Sequence, residues 1–262
     1  MRQFRVNPRV AGQLRALAAL LGCAACASIA SASEETPATA SEGLAAGFDR
    51  CYLVRDDRSE LTVLVYREGP LARFGHNHVI ASHALSGVLA LTDPVAGSHL
   101  LITVPAASLE VDPPALRARE GRDFAAHISS DARAATRTNM LGPRVLDAQR
   151  FPDMEVEISS PAGTPSSMHA TALIRIRGME SEHKMTASVL EDSSGLHIES
   201  AFAIAQSSLG LEPFSVAMGA LHVADRLQVK VSLSLTPSGE GDLRSCLAQA
   251  RVRSAQRPST AS

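Results

Sequence analysis

Arg226-Leu227-Gln228-Val229-Lys230-Val231-Ser232-Leu233-Ser234-Leu235 alternates without interruption. In an extended chain successive side chains point to opposite faces. Leu227, Val229, Val231, Leu233 and Leu235 therefore share one face, and Arg226, Gln228, Lys230, Ser232 and Ser234 share the other. Leu221 and Val223 extend the apolar face upstream, with His222 on the polar one. One dry face and one wet face is the pattern of an antiparallel strand packed on a core.

The same period recurs on working back through the chain. Met168, Ala170, Ala172, Ile174 and Ile176 alternate with His169, Thr171, Leu173, Arg175 and Arg177, and His197 and Glu199 alternate with Leu196 and Ile198. His169, His197 and His222 are therefore expected on solvated faces. Further upstream come a strand over 51–66 with Leu61, Val63 and Val65 on one face, a break at Glu68-Gly69-Pro70, and a strand over 71–83. Strands at Leu85 to Thr92, ended by Asp93-Pro94, and at His99 to Val104 follow. Between Pro113 and Met140, Ala, Arg, Leu and Glu replace the strand formers, which predicts one inserted helical segment broken at Gly121.

Short alternating strands interrupted once by a helix predict a mainly β fold: an extended antiparallel β-barrel of about eight strands, since closure removes the exposed edges of an open sheet. The 262 residues, 45% of them hydrophobic, suffice for one domain of ordinary size. Tryptophan is absent and tyrosine appears twice, so the core must be aliphatic. A net charge of −2 supplies no basic footprint for nucleic acid.

The ends of the chain differ in kind from its middle. Arg2, Arg5, Arg9 and Arg15, the apolar run Ala16 to Ala27 and the small-residue site Ala30-Ser31-Ala32 form the three parts of a secretory signal, predicting cleavage after Ala32 and a periplasmic or secreted protein. Leu20-Leu21-Gly22-Cys23 offers an alternative, a lipoprotein anchored through Cys23. The expected division is a signal peptide over 1–32, a flexible leader over 33–50, the barrel over 51–236 and a disordered tail over 237–262. Cys51 and Cys246 flank the first and last strands; an oxidising compartment and a closed sheet would let them bond, the alternative being two free thiols.

The chemistry-bearing stretch is Phe74-Gly75-His76-Asn77-His78-Val79-Ile80. Read as a strand, it puts Phe74, His76, His78 and Ile80 on one inward face and Asn77 outward. An inward imidazole needs a partner, because an unpaired buried polar group costs about 1–3 kcal/mol. Three readings satisfy it: core histidines bonded to their neighbours, contact with a ligand's polar head, or a transition metal held by His76, His78 and His83, with His127 as a further donor. No nucleophile elbow, phosphate loop or paired-carboxylate signature is present, so a non-enzymatic role is expected.

Taken in order, Leu53-Val54-Arg55-Asp56, then Ser108-Leu109-Glu110-Val111-Asp112 before the helix, then Arg150-Phe151-Pro152 entering a strand, and Phe202-Ala203-Ile204 with Ser207, Gly210 and Phe214 before the long last strand, resemble the YceI-like family across roughly 51–236. The resemblance implies a lipocalin-like barrel whose lumen holds a polyisoprenoid chain such as a quinone tail, and proximity to membranes through lipid exchange. The family's helical segment ends in Leu-x-x-x-Asp-Phe-Phe; here Arg119-Glu120-Gly121-Arg122-Asp123-Phe124 is followed by a longer stretch, and Gly-His-Asn-His has no counterpart in its common members. The expected site is a lumen lined by Phe74, His76, His78, Ile80, Ala170, Ala172 and Ile174, taking an isoprenoid or quinone-like ligand; the alternative is a metal protein using the same histidines.

Overall fold

The computed structural model describes residues 50–238 and Cys246. The expected signal peptide, Cys23, leader residues 33–49 and all of the expected tail except Pro237, Ser238 and Cys246 lie outside the described residues. In chain order the elements are β1 (Arg50–Val54), β2 (Glu60–Val65), β3 (Arg67–Glu68), β4 (His78–Ser82), β5 (Ser86–Leu91), β6 (His99–Pro105) and β7 (Glu110–Val111). Two helices follow, α1 (Pro114–Arg119) and α2 (Ser130–Leu141). The chain then forms the long strands β8 (Asp153–Thr164), β9 (Ser167–Ile176), β10 (Met179–Asp192) and β11 (Gly195–Ala205). It ends with β12 (Ser215–Val216), β13 (Leu221–Val223) and β14 (Arg226–Pro237).

Eight strands in the order β1-β5-β6-β8-β9-β10-β11-β14 form a closed antiparallel barrel, because β14 also pairs with β1. The alternation of β14 is what lets it serve as the seam. Residues 228–232 pair with β2, and residues 235–237 pair with β1. Past the hand-over, β2 leads to β4 and β4 to β7, so one end of the wall continues as a short flap. That end also carries the segment 206–225 and the β9–β10 turn, and is called the histidine end below. At the other end lie the β10–β11 turn and the Cys51–Cys246 disulfide, with Cα atoms 6.1 Å apart.

The β9–β10 turn shows how local sequence fixes the barrel. Ile176 and Met179 pair across two residues, Arg177 and Gly178, both with positive φ (55° and 74°), as a two-residue hairpin matched to strand twist requires. A Cβ on Gly178 would meet the Phe151 ring at 2.9 Å, so the Phe151-Pro152 turn docks on the hairpin only because residue 178 is glycine. Arg177 ties the same corner by donating to the carbonyls of Pro143 and Val145 at 3.0 and 3.4 Å.

Three elements depart from the expected pattern. The strand expected over 71–83 begins only at His78. The Leu71 N–H bonds the Ala220 carbonyl at 2.9 Å and residues 72–74 wind into a 3-10 turn, so the Gly69-Pro70 break extends further than its own residues. The strand expected from Leu221 to Leu235 splits after Val223, where the Asp225 carboxylate accepts the Ser207 N–H and hydroxyl at 2.8 and 2.6 Å. The helical segment becomes two helices, with Gly121 (φ 85°) beginning the linker between them.

Candidate functional site: a lumen with two unlike ends

The barrel encloses a cavity of about 980 Å³ running between its two ends. Its wall repeats the strand alternation: Ala170, Ala172, Ile174 and Ile176 from β9, and Leu227, Val229, Val231 and Leu233 from β14, face inward. Met154, Val156 and Ile158 of β8 and Ile80 of β4 complete the aliphatic surface. Two polar side chains in the wall are already satisfied, Ser200 donating to the Thr186 carbonyl at 2.7 Å and Gln206 to the Ala224 carbonyl at 2.8 Å. A lumen of this size whose wall is mostly aliphatic suits an elongated apolar molecule.

At the disulfide end, Asp93 and Glu191 reach the lumen edge, and Arg50 pairs with Glu191 at 2.8 Å. At the histidine end the edge is made by Arg67, His76, His78 and His222. His78 is the anchored member. Its Nδ1 lies 2.6 Å from the Asp112 carboxylate, which is fully buried and also accepts the Val79 N–H at 2.8 Å and Arg117 Nη1 at 2.5 Å. Arg117 in turn donates to the Asn77 carbonyl at 2.8 Å and the Ala126 carbonyl at 3.1 Å. Burial alone would push the Asp112 carboxyl up; the hydrogen bonds from His78, Val79 and Arg117 outweigh it and hold the group below the ordinary carboxylate range. An ionised Asp112 keeps the His78 proton on Nδ1, so Nε2 is the nitrogen left for the lumen, and no group among the described residues bonds it.

The expected site residues divide as follows. Ile80, Ala170, Ala172, Ile174, His76 and His78 line the lumen. Phe74 does not: it lies in the 3-10 turn, 65% exposed, with the Arg73 guanidinium 4.7 Å over its ring. His76 belongs to the loop before β4, exposed at the lumen edge. Asn77, expected to point outward, does not line the lumen and joins loops, accepting the Arg67 N–H at 3.1 Å and donating to the Asp123 carbonyl at 3.0 Å. His222, expected in solvent, borders the lumen from β13 with its side chain about one-third exposed.

The metal trio does not assemble. His83 lies beyond the far end of β4 from His78, about 16 Å away at strand rise, with its Nδ1 3.1 Å from the Ser59 carbonyl. His127 is exposed in the linker before α2. Among the described residues no group of three or more His, Cys, Asp or Glu is arranged to hold a metal ion. Asp112 and Arg117, which organise the histidine end, were not among the sequence-derived candidates. The signal in the sequence is slight: an acid directly before Pro113-Pro114, with Glu110 two residues earlier, and an arginine five residues on.

The sequence matches no family model and no curated protein. Among solved structures, the fold is similar to Burkholderia cenocepacia BcnA, with a TM-score of 0.51 and 14% identity over 69% of this chain and 98% of that one. A YceI protein of Campylobacter jejuni aligns with a TM-score of 0.41 and 13% identity over 60% of this chain and 82% of that one. At 14% identity the likeness to BcnA is one of fold alone.

Proposed function

We propose that this is an exported binding protein that holds an elongated apolar ligand, isoprenoid or quinone-tailed, in the barrel lumen. The observation that carries the reading is the continuous aliphatic lining of a cavity of about 980 Å³ inside a closed barrel. Each CH₂ buried there is worth about 0.8 kcal/mol, so a chain of roughly fifteen carbons gains ample free energy without a polar anchor. Export rests on the signal pattern over residues 1–32, and the disulfide fits an oxidising compartment. Such a carrier would load and unload at a membrane, the source of chains of this length.

The test is to fill the lumen. Ala172→Phe, alone or with Ala170→Phe, puts bulk on the β9 inner face at the cost of about 1–3 kcal/mol in overpacking. Native mass spectrometry and organic extraction are expected to find a lipid on the wild type and none on the folded variants. Equal lipid occupancy in both would place the binding outside the lumen and end the proposal.

A further inference from the structure

The lumen edges differ in charge. Among the described residues, the acidic side chains that line the cavity, Asp93 and Glu191, stand at the disulfide end, where Arg50 pairs with Glu191, while Arg67, His76, His78 and His222 stand at the other end with no acidic side chain among the lining residues. We infer that the ligand carries an anionic oxygen head, a phosphate or carboxylate, seated at the histidine end between Arg67, His76 and His78 with its apolar tail along the lumen. This rests on the proposed function and narrows it, since a quinone head is neutral.

Three features of the chain favour an anion there. Arg67 is held in place by donating through Nη1 to the Gly75 carbonyl, beside His76, which leaves its other guanidinium N–H groups for a ligand. A planar guanidinium with spare donors suits two oxygens of one head group. The buried carboxylate behind the edge, Asp112, is already matched by Arg117, so it presents no bare negative charge to the lumen, and it turns His78 so that Nε2 is free. His222 contributes least, because Glu68 lies 3.7 Å from its Nε2 and its Nδ1 faces the Gly219 carbonyl at 2.9 Å. Arg144, stacked 5.3 Å over the lumen-lining Phe214, adds positive charge near the same opening.

The experiment measures binding of two acid and alcohol pairs to delipidated full-length protein: oleate against oleyl alcohol, and farnesyl monophosphate against farnesol. Both acids are expected to bind about tenfold more tightly than their alcohols, the scale of one or two charge-assisted hydrogen bonds. In Arg67→Gln, and further in Arg67→Gln with His76→Gln, that advantage is expected to fall below about threefold while alcohol affinity holds, which also shows that the lumen remains folded. A gain for farnesyl monophosphate alone assigns the head as phosphate; a gain for both assigns a general oxyanion. Equal affinity for acid and alcohol in the wild type overturns the inference and leaves the carrier function standing. Equal weakening of acids and alcohols by Arg67→Gln overturns it too, since the arginine would then act by packing. If none of the four ligands binds, the carrier reading itself fails.

Discussion

The disulfide end of the barrel is held by the backbone, and the histidine end by side chains. Near Cys51, β1 is paired on both edges, to β5 and to β14, and the disulfide closes the seam. Near His78, β14 has passed from β1 to β2 and the wall thins to a flap of short strands. Strand ladders satisfy their own polar groups. Where they run out, Asp112, Arg117 and Asn77 take over, bonding the backbone of Val79, Asn77, Ala126, Arg67 and Asp123. An edge for recognition can be built where side chains hold it: a carboxylate that secures backbone can also orient an imidazole at the lumen, whereas a ladder cannot.

The largest effect at the histidine end is expected from Asp112→Ala. The change leaves Arg117, with only 8% of its side chain exposed, without its charge partner and the buried Val79 N–H without an acceptor. Breaking a buried pair in this way costs about 3–5 kcal/mol, to be read by urea denaturation. The pH dependence has a definite sign. The folded Asp112 pKa is depressed, so its contribution to stability is complete above the unfolded value of about 3.9 and is lost as pH falls through the lower folded value. The wild type is expected to lose stability over that acidic window, and the variant to lose less. A loss under about 1 kcal/mol would mean that side chains do not hold the histidine end.

The barrel was legible because alternation is a local signal: Ala170, Ala172 and Ile174 could be placed inward from their own neighbours alone. The approach to His78 was misread for a physical reason. Phe74 and His76 fit the period of a strand, but the Leu71 N–H is committed to Ala220, nearly 150 residues away in sequence, and no window around Phe74 contains that information. Asp112 was harder still. Its partners stand at 78, 79 and 117, and a buried ion pair has no periodicity, only two charges whose proximity the fold creates. The sequence marks both His76 and His78 as imidazoles in need of partners; Asp112 bonds His78, a partner that its neighbours in sequence do not name.

At the disulfide end the ladders are supplemented by one covalent bond. Cys51 and Cys246 are separated by 195 residues, so the closed loop takes in nearly the whole barrel. Replacing both with serine is expected to cost about 2–4 kcal/mol, chiefly by freeing the unfolded chain. Because the β1 and β14 ladders persist, the variant is expected to keep its barrel and the lipid occupancy that the proposed carrier function implies, while its urea midpoint drops. Loss of lipid in the folded variant would show that the disulfide shapes the lumen, which would erase the contrast between the two ends.

The smallest expected effect is the most direct comparison, because it removes a carboxylate from the other end. Glu191, like Asp112, accepts from an arginine, Arg50 at 2.8 Å, and takes a further long contact from the Tyr52 hydroxyl at 3.4 Å. Both charged side chains of that pair are more than half exposed. Water therefore solvates either partner when the other is gone, and Coulomb attraction at the surface barely exceeds the entropy lost in ordering two long side chains. Glu191→Gln is expected to change stability by under about 1 kcal/mol, and that change is expected to shrink further between low and 0.5 M salt as screening removes the attraction. The same denaturation experiment on Asp112→Ala and Glu191→Gln thus sets a buried carboxylate that holds backbone beside an exposed one that does not. Equal losses in the two variants would mean that burial and backbone bonding do not distinguish the ends.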